Sequence, residues 1–234
     1  MIDPGQPLAQ IVLEHPRCAR VLVDQDIDFC CRGTMSLAEA CAARGLVPED
    51  LVSALIEVAA GAGAGAGPDP RSLSNLQLIA HIVDQHHEYL RRTLPLVELL
   101  TQRVVEAHGE RRPSLEELRW VLHALRSLLE PHLEREEAVL FPLLLGAGRA
   151  RQRVRDELDR MREEHLRVGD ALHAIRTLGE RFVPPDWACA TYRALLSELE
   201  AMDLDTREHV HLENNVLAAR FAPLASGVQR KGGG

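Results

Sequence analysis

The sequence has few aromatic residues, no excess of basic residues and no apolar run long enough to cross a membrane. Only 3% of its 234 residues are aromatic, which argues against a large sheet. The formal net charge of −8 disfavours a nucleic-acid groove, because phosphates would be repelled. Every apolar stretch is shorter than the roughly 20 residues of a membrane helix. We therefore expect neither nucleic acid nor membrane as a partner. The negative charge suits a protein that handles cations.

Cysteine is also scarce. The chain has five cysteines, an odd number of which two are adjacent, and this is not the pattern of a disulfide scaffold. The first residues, Met1-Ile-Asp-Pro-Gly, lack the basic and apolar regions of a signal peptide. Both absences predict a protein of the reducing cytoplasm.

Leu, Ala, Val, Arg and Glu dominate what is present, a mixture typical of helices with an aliphatic core. Long tracts with helical periodicity cover roughly residues 73–107, 114–145, 151–178 and 186–222. Short connections between long helices favour an up-down-up-down four-helix bundle. The predicted fold is all-α, with a small helical domain before the bundle. The predicted divisions are 1–58 for the small domain, 59–72 for a Gly/Ala/Pro linker, 73–224 for the bundle and 225–234 for a disordered tail.

Helix starts have two candidate signals. Ser114-Leu-Glu-Glu117 fits a capping box, in which the Ser hydroxyl and the Glu side chain satisfy backbone amides. Asp186, which follows two prolines, is a candidate N-cap for the last helix.

An apolar track runs along each long helix when residues are taken at alternating steps of three and four. One or two metal-ligand residues interrupt each track. The four tracks are Leu76, Ala80, Val83, His87, Leu90, Leu94, Val97; Leu118, Leu122, Leu125, Leu129, His132, Glu136, Val139 or Leu140, Leu143; Val154, Leu158, Met161, His165, Val168, Leu172, Ile175; and Leu195, Leu199, Met202, Thr206, His209, Glu213, Val216.

These interruptions predict a buried metal centre. An ionised carboxylate in an apolar core costs several kcal/mol unless a partner compensates it, and a divalent cation is the strongest such partner. Six ligands exceed the needs of one tetrahedral ion. They divide between two ions, each taking two of the four histidines, with Glu136 and Glu213 bridging both ions. Such histidine and carboxylate sites with open positions are typical of iron that binds oxygen or nitric oxide.

Other interpretations of the same residues remain open. A single His/Glu pair can be a surface ion pair or a hydrogen-bonded core histidine, and the bundle can be metal-free. The histidines off the tracks receive no role; they are His81, His86, His123, His173 and His211.

The sequence resembles the hemerythrin-like proteins, and more narrowly the Repair of Iron Centres proteins (the ScdA/YtfE group). The resemblance covers almost the whole chain. It rests on His87, on His132-Leu-Glu-Arg-Glu136-Glu-Ala-Val-Leu-Phe-Pro142, on Glu164-His165, on His209-Val-His-Leu-Glu213-Asn-Asn-Val-Leu, and on Asp26-Ile-Asp-Phe-Cys-Cys-Arg-Gly33 with Ser36-Leu37.

This resemblance implies a cytoplasmic di-iron protein that restores iron-sulfur clusters damaged by nitric oxide or oxidants, by supplying iron. Carried over by position, the iron ligands are His87, His132, Glu136, His165, His209 and Glu213. The adjacent Cys30 and Cys31 would accept iron, nitrosyl or electrons near the mouth of the bundle. The remaining cysteines are interpreted as small buried hydrophobic residues; they are Cys18, Cys41 and Cys189.

Three functions remain open within this resemblance. The protein donates iron as a repair factor, or it is an enzyme that reduces nitric oxide, or it only binds oxygen or iron for storage or sensing. The Cys-Cys module speaks against the third. The expected partners are damaged or apo iron-sulfur proteins, with nitric oxide or oxygen species as small ligands. A monomer and a homodimer are both compatible with the sequence.

Overall fold

The structure, a computed structural model, describes residues 2–60, 69–146 and 151–221, which are largely helical. Four short helices come first: α1 (Leu8–Glu14), α2 (Cys18–Asp24), α3 (Leu37–Arg44) and α4 (Pro48–Ala60). The remainder contains α5 (Asn75–Ile82), α6 (Glu88–His108), α7 (Ser114–Arg135), α8 (Phe141–Leu145), α9 (Arg151–Leu178) and α10 (Ala190–His211). In these three ranges the only strand-like pairing is one bridge between Pro7 and Ser36.

Helices α5 to α10 form the predicted four-helix bundle. Helix α6 packs against α7, α7 against α9, α9 against α10, and α10 returns to α6. This closed order of neighbours is the up-down-up-down arrangement, and it confirms the all-α prediction. No helix in the described part of the chain has both the length and the apolar character needed to span a bilayer.

Three of the four bundle helices contain a stretch of π-helix. These stretches are Val83–His87 between α5 and α6, Glu136–Leu140 between α7 and α8, and Leu212–Leu217 after α10. A π-turn inserts one extra residue into a helix and is frequent at functional sites. Each of these stretches contains a predicted metal ligand.

The π-turn in the first bundle helix makes the predicted apolar track wrong on its N-terminal side. Leu76 is 63% exposed and Ala80 is also exposed, whereas Ile79 and Ile82 are buried. The buried positions are offset by one residue from those predicted, which is the shift that the insertion at Val83–His87 produces.

The same effect recurs after the π-turn of the second bundle helix. Leu144 is buried there, whereas the predicted Leu143 is only half-buried. In the third bundle helix, α9, which has no π-turn, all seven predicted track residues are buried. All seven are buried in the fourth helix as well.

Both predicted helix caps are wrong. Helix α7 begins at Ser114 itself, with Pro113 at the N-cap position and no side-chain cap. The Ser114 hydroxyl accepts a hydrogen bond from Arg112 Nε at 3.2 Å instead. Helix α10 begins three residues later than the Asp186 cap requires, because Cys189 is its N-cap.

The predicted linker lies mostly outside the described residues. Helix α4 continues to Ala60, residues 61–68 are not described, and Asp69 caps a short 3-10 helix at Pro70–Ser72. The predicted tail at 225–234 also lies outside the described residues.

The small N-terminal domain packs directly on α10 and α9. Its apolar core includes Val210 of α10. Arg176 of α9 bonds Asp24 Oδ1 at 2.7 Å and lies 3.4 Å from the buried Asp203 Oδ2. Arg20 forms a further ion pair with Glu200. The domain is therefore held to the bundle by apolar contact together with a partly buried ionic network.

Replacing Arg176 with alanine is expected to destabilise the protein by about 3 kcal/mol, because Asp203 loses one of its two cationic partners inside the structure. The free energy of unfolding in urea, followed by circular dichroism, measures this loss. Arg162→Ala is the matched control on α9, since its ion pair with Asp159 is exposed and such pairs contribute little. Equal stability of the two variants would contradict a structural role for the Arg176 network.

Candidate metal centre

The six predicted ligands lie together in one buried layer across the bundle. Each is at most 3% exposed; they are His87, His132, Glu136, His165, His209 and Glu213. One apolar cluster fills the bundle on one side of this layer, from Leu90 to Met202, and a second cluster around Leu78 and Leu217 fills the other side. The layer is thus a polar slab enclosed between two hydrophobic cores.

The histidines approach one another in two pairs. His87 Nε2 lies 3.1 Å from His209 Nε2, and His132 Nε2 lies 3.1 Å from His165 Nε2. The rings within each pair are nearly perpendicular, at 74°.

Both carboxylates contact both pairs. Glu213 Oε2 is 3.1 Å from the Nε2 atoms of His165 and His209, and Glu136 lies 3.3 Å from His132 Nε2 and 3.5 Å from His87 Nε2. The side chains therefore form two groups able to hold a cation, and the groups share both glutamates. The two groups are His87, Glu136, His209, Glu213 and His132, Glu136, His165, Glu213.

Three of the four rings are fixed from behind by an oxygen acceptor on Nδ1. His87 bonds Glu137 at 2.7 Å, His132 bonds Glu164 at 2.8 Å, and His165 bonds Asn214 Oδ1 at 3.0 Å. In a neutral ring, such a bond places the proton on Nδ1 and the lone pair on Nε2. The inward nitrogens of these rings are thereby prepared to bind a cation.

Burial keeps the proton affinity of two of the four ligand rings low. It lowers the pKa of His132, although the contact with Glu164 opposes this, and it lowers the pKa of His209 to about 3. In turn, His132 holds the pKa of Glu164 at about 2. A neutral imidazole is the form that a metal ion requires.

The two central carboxylates differ in proton affinity before any ion binds. Burial and the neighbouring charge of Glu213 raise the pKa of Glu136 well above its usual value. Burial alone would raise the pKa of Glu213 too, but the adjacent His209 and His165 outweigh it and hold that pKa well below its usual value. The pair therefore favours a single negative charge, and a second one needs a cation nearby.

The donor set fits a metal. All four carboxylate oxygens of Glu136 and Glu213 are buried without a hydrogen-bond partner among the described residues. In the His132/His165 pair, two ring nitrogens with inward lone pairs face each other at hydrogen-bond distance. Buried polar groups left in this way are costly, and cations placed between them would satisfy every one.

The sequence reasoning missed the side chains that orient the ligands, namely Glu137, Glu164 and Asn214. Each directly adjoins a ligand in the sequence, which is the signal that could have found them. It also left His86 and His211 without a role, yet both are buried. His86 Nδ1 lies 3.0 Å from Asp205 Oδ1, and the ring of His211 meets Phe29 edge-on.

The predicted cysteine pair lies against the metal layer. Cys30 is buried and Cys31 is partly exposed, with their Sγ atoms 3.8 Å apart. Cys31 Sγ is 3.7 Å from the backbone oxygen of the ligand His165. On α10's extension, the amide groups of Asn214 and Asn215 donate to the Cys30 carbonyl at 3.2 and 2.9 Å. The thiols are thus fixed beside two ligand-bearing helices.

Asp28 completes a second cluster of metal-ligand residues with these thiols. Its Oδ1 accepts hydrogen bonds from the backbone amides of Cys30 and Cys31 at 3.1 and 2.9 Å, and it lies 3.2 Å from Cys30 Sγ. The three side chains lie close enough together to hold a metal ion. The hydrogen bond to Cys31 and burial raise the pKa of the Cys30 thiol, so a cation is needed to deprotonate it at neutral pH.

Of the other cysteines, Cys18 and Cys41 are buried as predicted, whereas the prediction for Cys189 is wrong. Cys189 is exposed because it occupies the N-cap of α10, where its Sγ lies 3.2 Å from His108 Nε2.

Comparison with known proteins adds family relationships to this geometry. The family model of the hemerythrin HHE cation binding domain matches residues 78–221, and that of the ScdA_N domain of unknown function matches residues 4–59. The chain is 34% identical over 216 residues to the iron-sulfur cluster repair protein YtfE of Edwardsiella ictaluri, covering 92% of this chain and 96% of that protein. The YtfE proteins of Salmonella paratyphi B and Salmonella newport are 33% identical over the same share of each chain.

Proposed function

Because this chain belongs to the family of hemerythrin-domain iron-sulfur cluster repair proteins, we propose that it restores damaged iron-sulfur clusters by supplying them with iron. The observation that carries the proposal is the position of a thiol and carboxylate cluster directly beside a buried histidine and glutamate cluster. The first cluster has ligands of the kind that iron-sulfur proteins use, and the second has ligands of an iron store.

The central layer is proposed to hold two iron ions, one in each of the two groups, with Glu136 and Glu213 shared between them. Bound iron would supply open coordination positions for nitric oxide or oxygen species. Glu137, Glu164 and Asn214 keep the histidine lone pairs pointing inward, and the two apolar cores exclude water from the layer.

Asp28, Cys30 and Cys31 are proposed to receive iron that leaves this layer. The transfer exchanges ligands and needs no oxidant or reductant. Each thiol that binds iron gives up its proton to solvent, and the histidine or carboxylate that is released takes up solvent in place of the metal. The partly exposed Asp28 and Cys31 are the side chains of this cluster that a client protein can reach.

An iron-transfer assay tests this proposal. The iron-loaded protein is mixed anaerobically with an apo-ferredoxin, cysteine, a cysteine desulfurase and dithiothreitol, with a high-affinity iron chelator present in solution. The ferredoxin's visible absorption is expected to grow with the iron-loaded protein. It is not expected to grow with an equimolar amount of free iron under the same chelator. Equal rates for both would contradict directed donation.

The same preparation distinguishes the alternative enzyme. If the protein consumes nitric oxide through many turnovers with an electron donor, and transfers no iron, the centre is a nitric oxide reductase. Nothing in the geometry of the described residues favours that activity over donation, and the adjacent thiol cluster favours donation.

A further inference from the structure

A cavity of about 660 Å³ lies outside the metal layer, where the N-terminal domain, residues 69–73 and helices α5 and α10 meet. Acidic side chains from three separate parts of the chain line it. They are Glu14, Asp69, Asp205 and Glu208. Apart from three histidines, the one basic side chain among the described lining residues is Arg71, which is already paired with Asp69 at 2.8 Å. The cavity thus carries a net negative charge and attracts cations.

The inner wall of this cavity touches the metal layer. His86 lines the cavity, and its ring stacks on that of the ligand His209, with 5.8 Å between centroids and 15° between planes. Asp205 Oδ1 lies 3.0 Å from His86 Nδ1, and the other oxygen of this carboxylate, Oδ2, is buried without a hydrogen-bond partner among the described residues. An unpartnered carboxylate oxygen is therefore present one ring away from the centre.

His209 is also the one ligand ring whose Nδ1 is not fixed by a hydrogen bond. Its Nδ1 is buried without a hydrogen-bond partner in the described part of the chain, whereas the other three rings are each anchored by an oxygen. A ring without this anchor loses less when it turns away from a metal. The half of the centre formed by His87 and His209 is therefore the half that can open more easily to admit an ion.

Beside His132, the opposite half of the centre is nearly closed. A cleft of only about 10 Å³ adjoins His132, which is room for about one water molecule, and it is bounded by two ion pairs. Arg135 bonds Glu157 at 2.7 Å and Arg160 bonds Glu164 at 2.9 Å. A hydrated cation fits the large acidic cavity and does not fit this cleft.

We infer that the acidic cavity is a transient binding site for a hydrated divalent cation, through which metal reaches the His87/His209 half of the centre. The inference rests on the proposed function, in that it assumes that the layer binds metal. The carboxylates of the cavity do not converge as closely as the ligands of the layer, so the ion keeps most of its water and is held loosely. Loose binding is what a passage requires.

Metal uptake kinetics test the inference. The full chain is stripped with a chelator and mixed with Co²⁺ in a stopped-flow spectrometer, and the visible absorption of bound Co²⁺ is followed. The double variant Asp205→Asn with Glu208→Gln is expected to take up the first ion about tenfold more slowly, since it loses the two carboxylates nearest the centre. Its final Co²⁺ content should equal that of the unchanged chain.

Two further variants make the result specific. Glu14→Gln removes an exposed rim carboxylate without touching the bundle, and a smaller slowing that disappears at high salt is expected. Glu157→Gln opens the cleft on the opposite half and is expected to leave the rate unchanged. Unchanged uptake in both cavity variants, or faster uptake in Glu157→Gln, overturns the inference. A stripped chain that binds no Co²⁺ at all refutes the proposed centre instead.

Discussion

Replacing Glu213 with alanine is expected to lower the iron content from the proposed two ions per chain to one or none, while the bundle stays folded. Glu213 belongs to both groups of metal-ligand residues and lies 3.1 Å from the inward nitrogens of His165 and His209. Its loss therefore removes one ligand from each ion, not two from one. Iron analysis after anaerobic preparation, with circular dichroism as the check on folding, measures the effect.

Glu136→Ala should give the same result, because Glu136 is the other shared carboxylate. Glu134→Ala is the matched control, since Glu134 lies two residues earlier on the same helix and is exposed. Two irons per chain in both Glu136→Ala and Glu213→Ala would show that the glutamates do not bridge. A loss of iron in the Glu134 variant would show that the assay reports general damage to the helix.

The six clustered residues could be identified from the sequence because charged side chains are rarely buried in an apolar core without a compensating partner. In α9, which has no π-turn, a plain count of three and four residues found every buried position from Val154 to Ile175. The pattern was sufficient there because uninterrupted α-helix has one periodicity.

The errors of the sequence reasoning cluster at the π-turns and at the helix ends. A π-turn shifts the buried face by one residue. The amino acids of Val83–His87 and Glu136–Leu140 do not predict such a turn. In the described part of the chain, capping boxes are present in α3, with Ser36 and Glu39, and in α5, with Ser74 and Gln77. The sequence shows the same Ser-x-x-Glu/Gln spacing at Ser114, where Pro113 at the N-cap position starts the helix one residue too early for it.

Tertiary contact explains the remaining failures. Helix α10 has a second buried face, with Asp203 and Arg207 on it, because the N-terminal domain covers it. A single helix gives no sign of a partner from another part of the chain. The acidic cavity is a further case, because Glu14, Asp69 and Asp205 meet only in the folded protein.

The double variant Cys30→Ala with Cys31→Ala is expected to keep its iron and to lose iron transfer. Neither thiol belongs to the two groups of metal-ligand residues in the bundle layer, so the iron content should not change. Removing two small buried or half-buried side chains should cost about 1 kcal/mol each, which a folded domain tolerates. Both quantities are measured on one preparation, by iron analysis and by the apo-ferredoxin assay.

The control for this double variant must remove a cysteine without removing the thiol cluster. Cys41→Ala does so inside the core of the same domain, and Cys189→Ala does so at an exposed position on the bundle. Both are expected to transfer iron at the rate of the unchanged chain. If the double variant still transfers iron, the N-terminal domain has only a structural role.

Asp28→Asn separates two possible roles of Asp28, namely fixing the conformation of the cysteine loop and binding iron. The asparagine side chain can still accept hydrogen bonds from the amides of Cys30 and Cys31, so the loop should keep its conformation. It carries no charge, however, and it is a weaker ligand for iron than a carboxylate. Slower transfer in Asp28→Asn with both thiols intact would show that Asp28 binds the iron in transit. An unchanged rate would leave the two thiols as the sole acceptors and assign to Asp28 only the shaping of the turn that presents them.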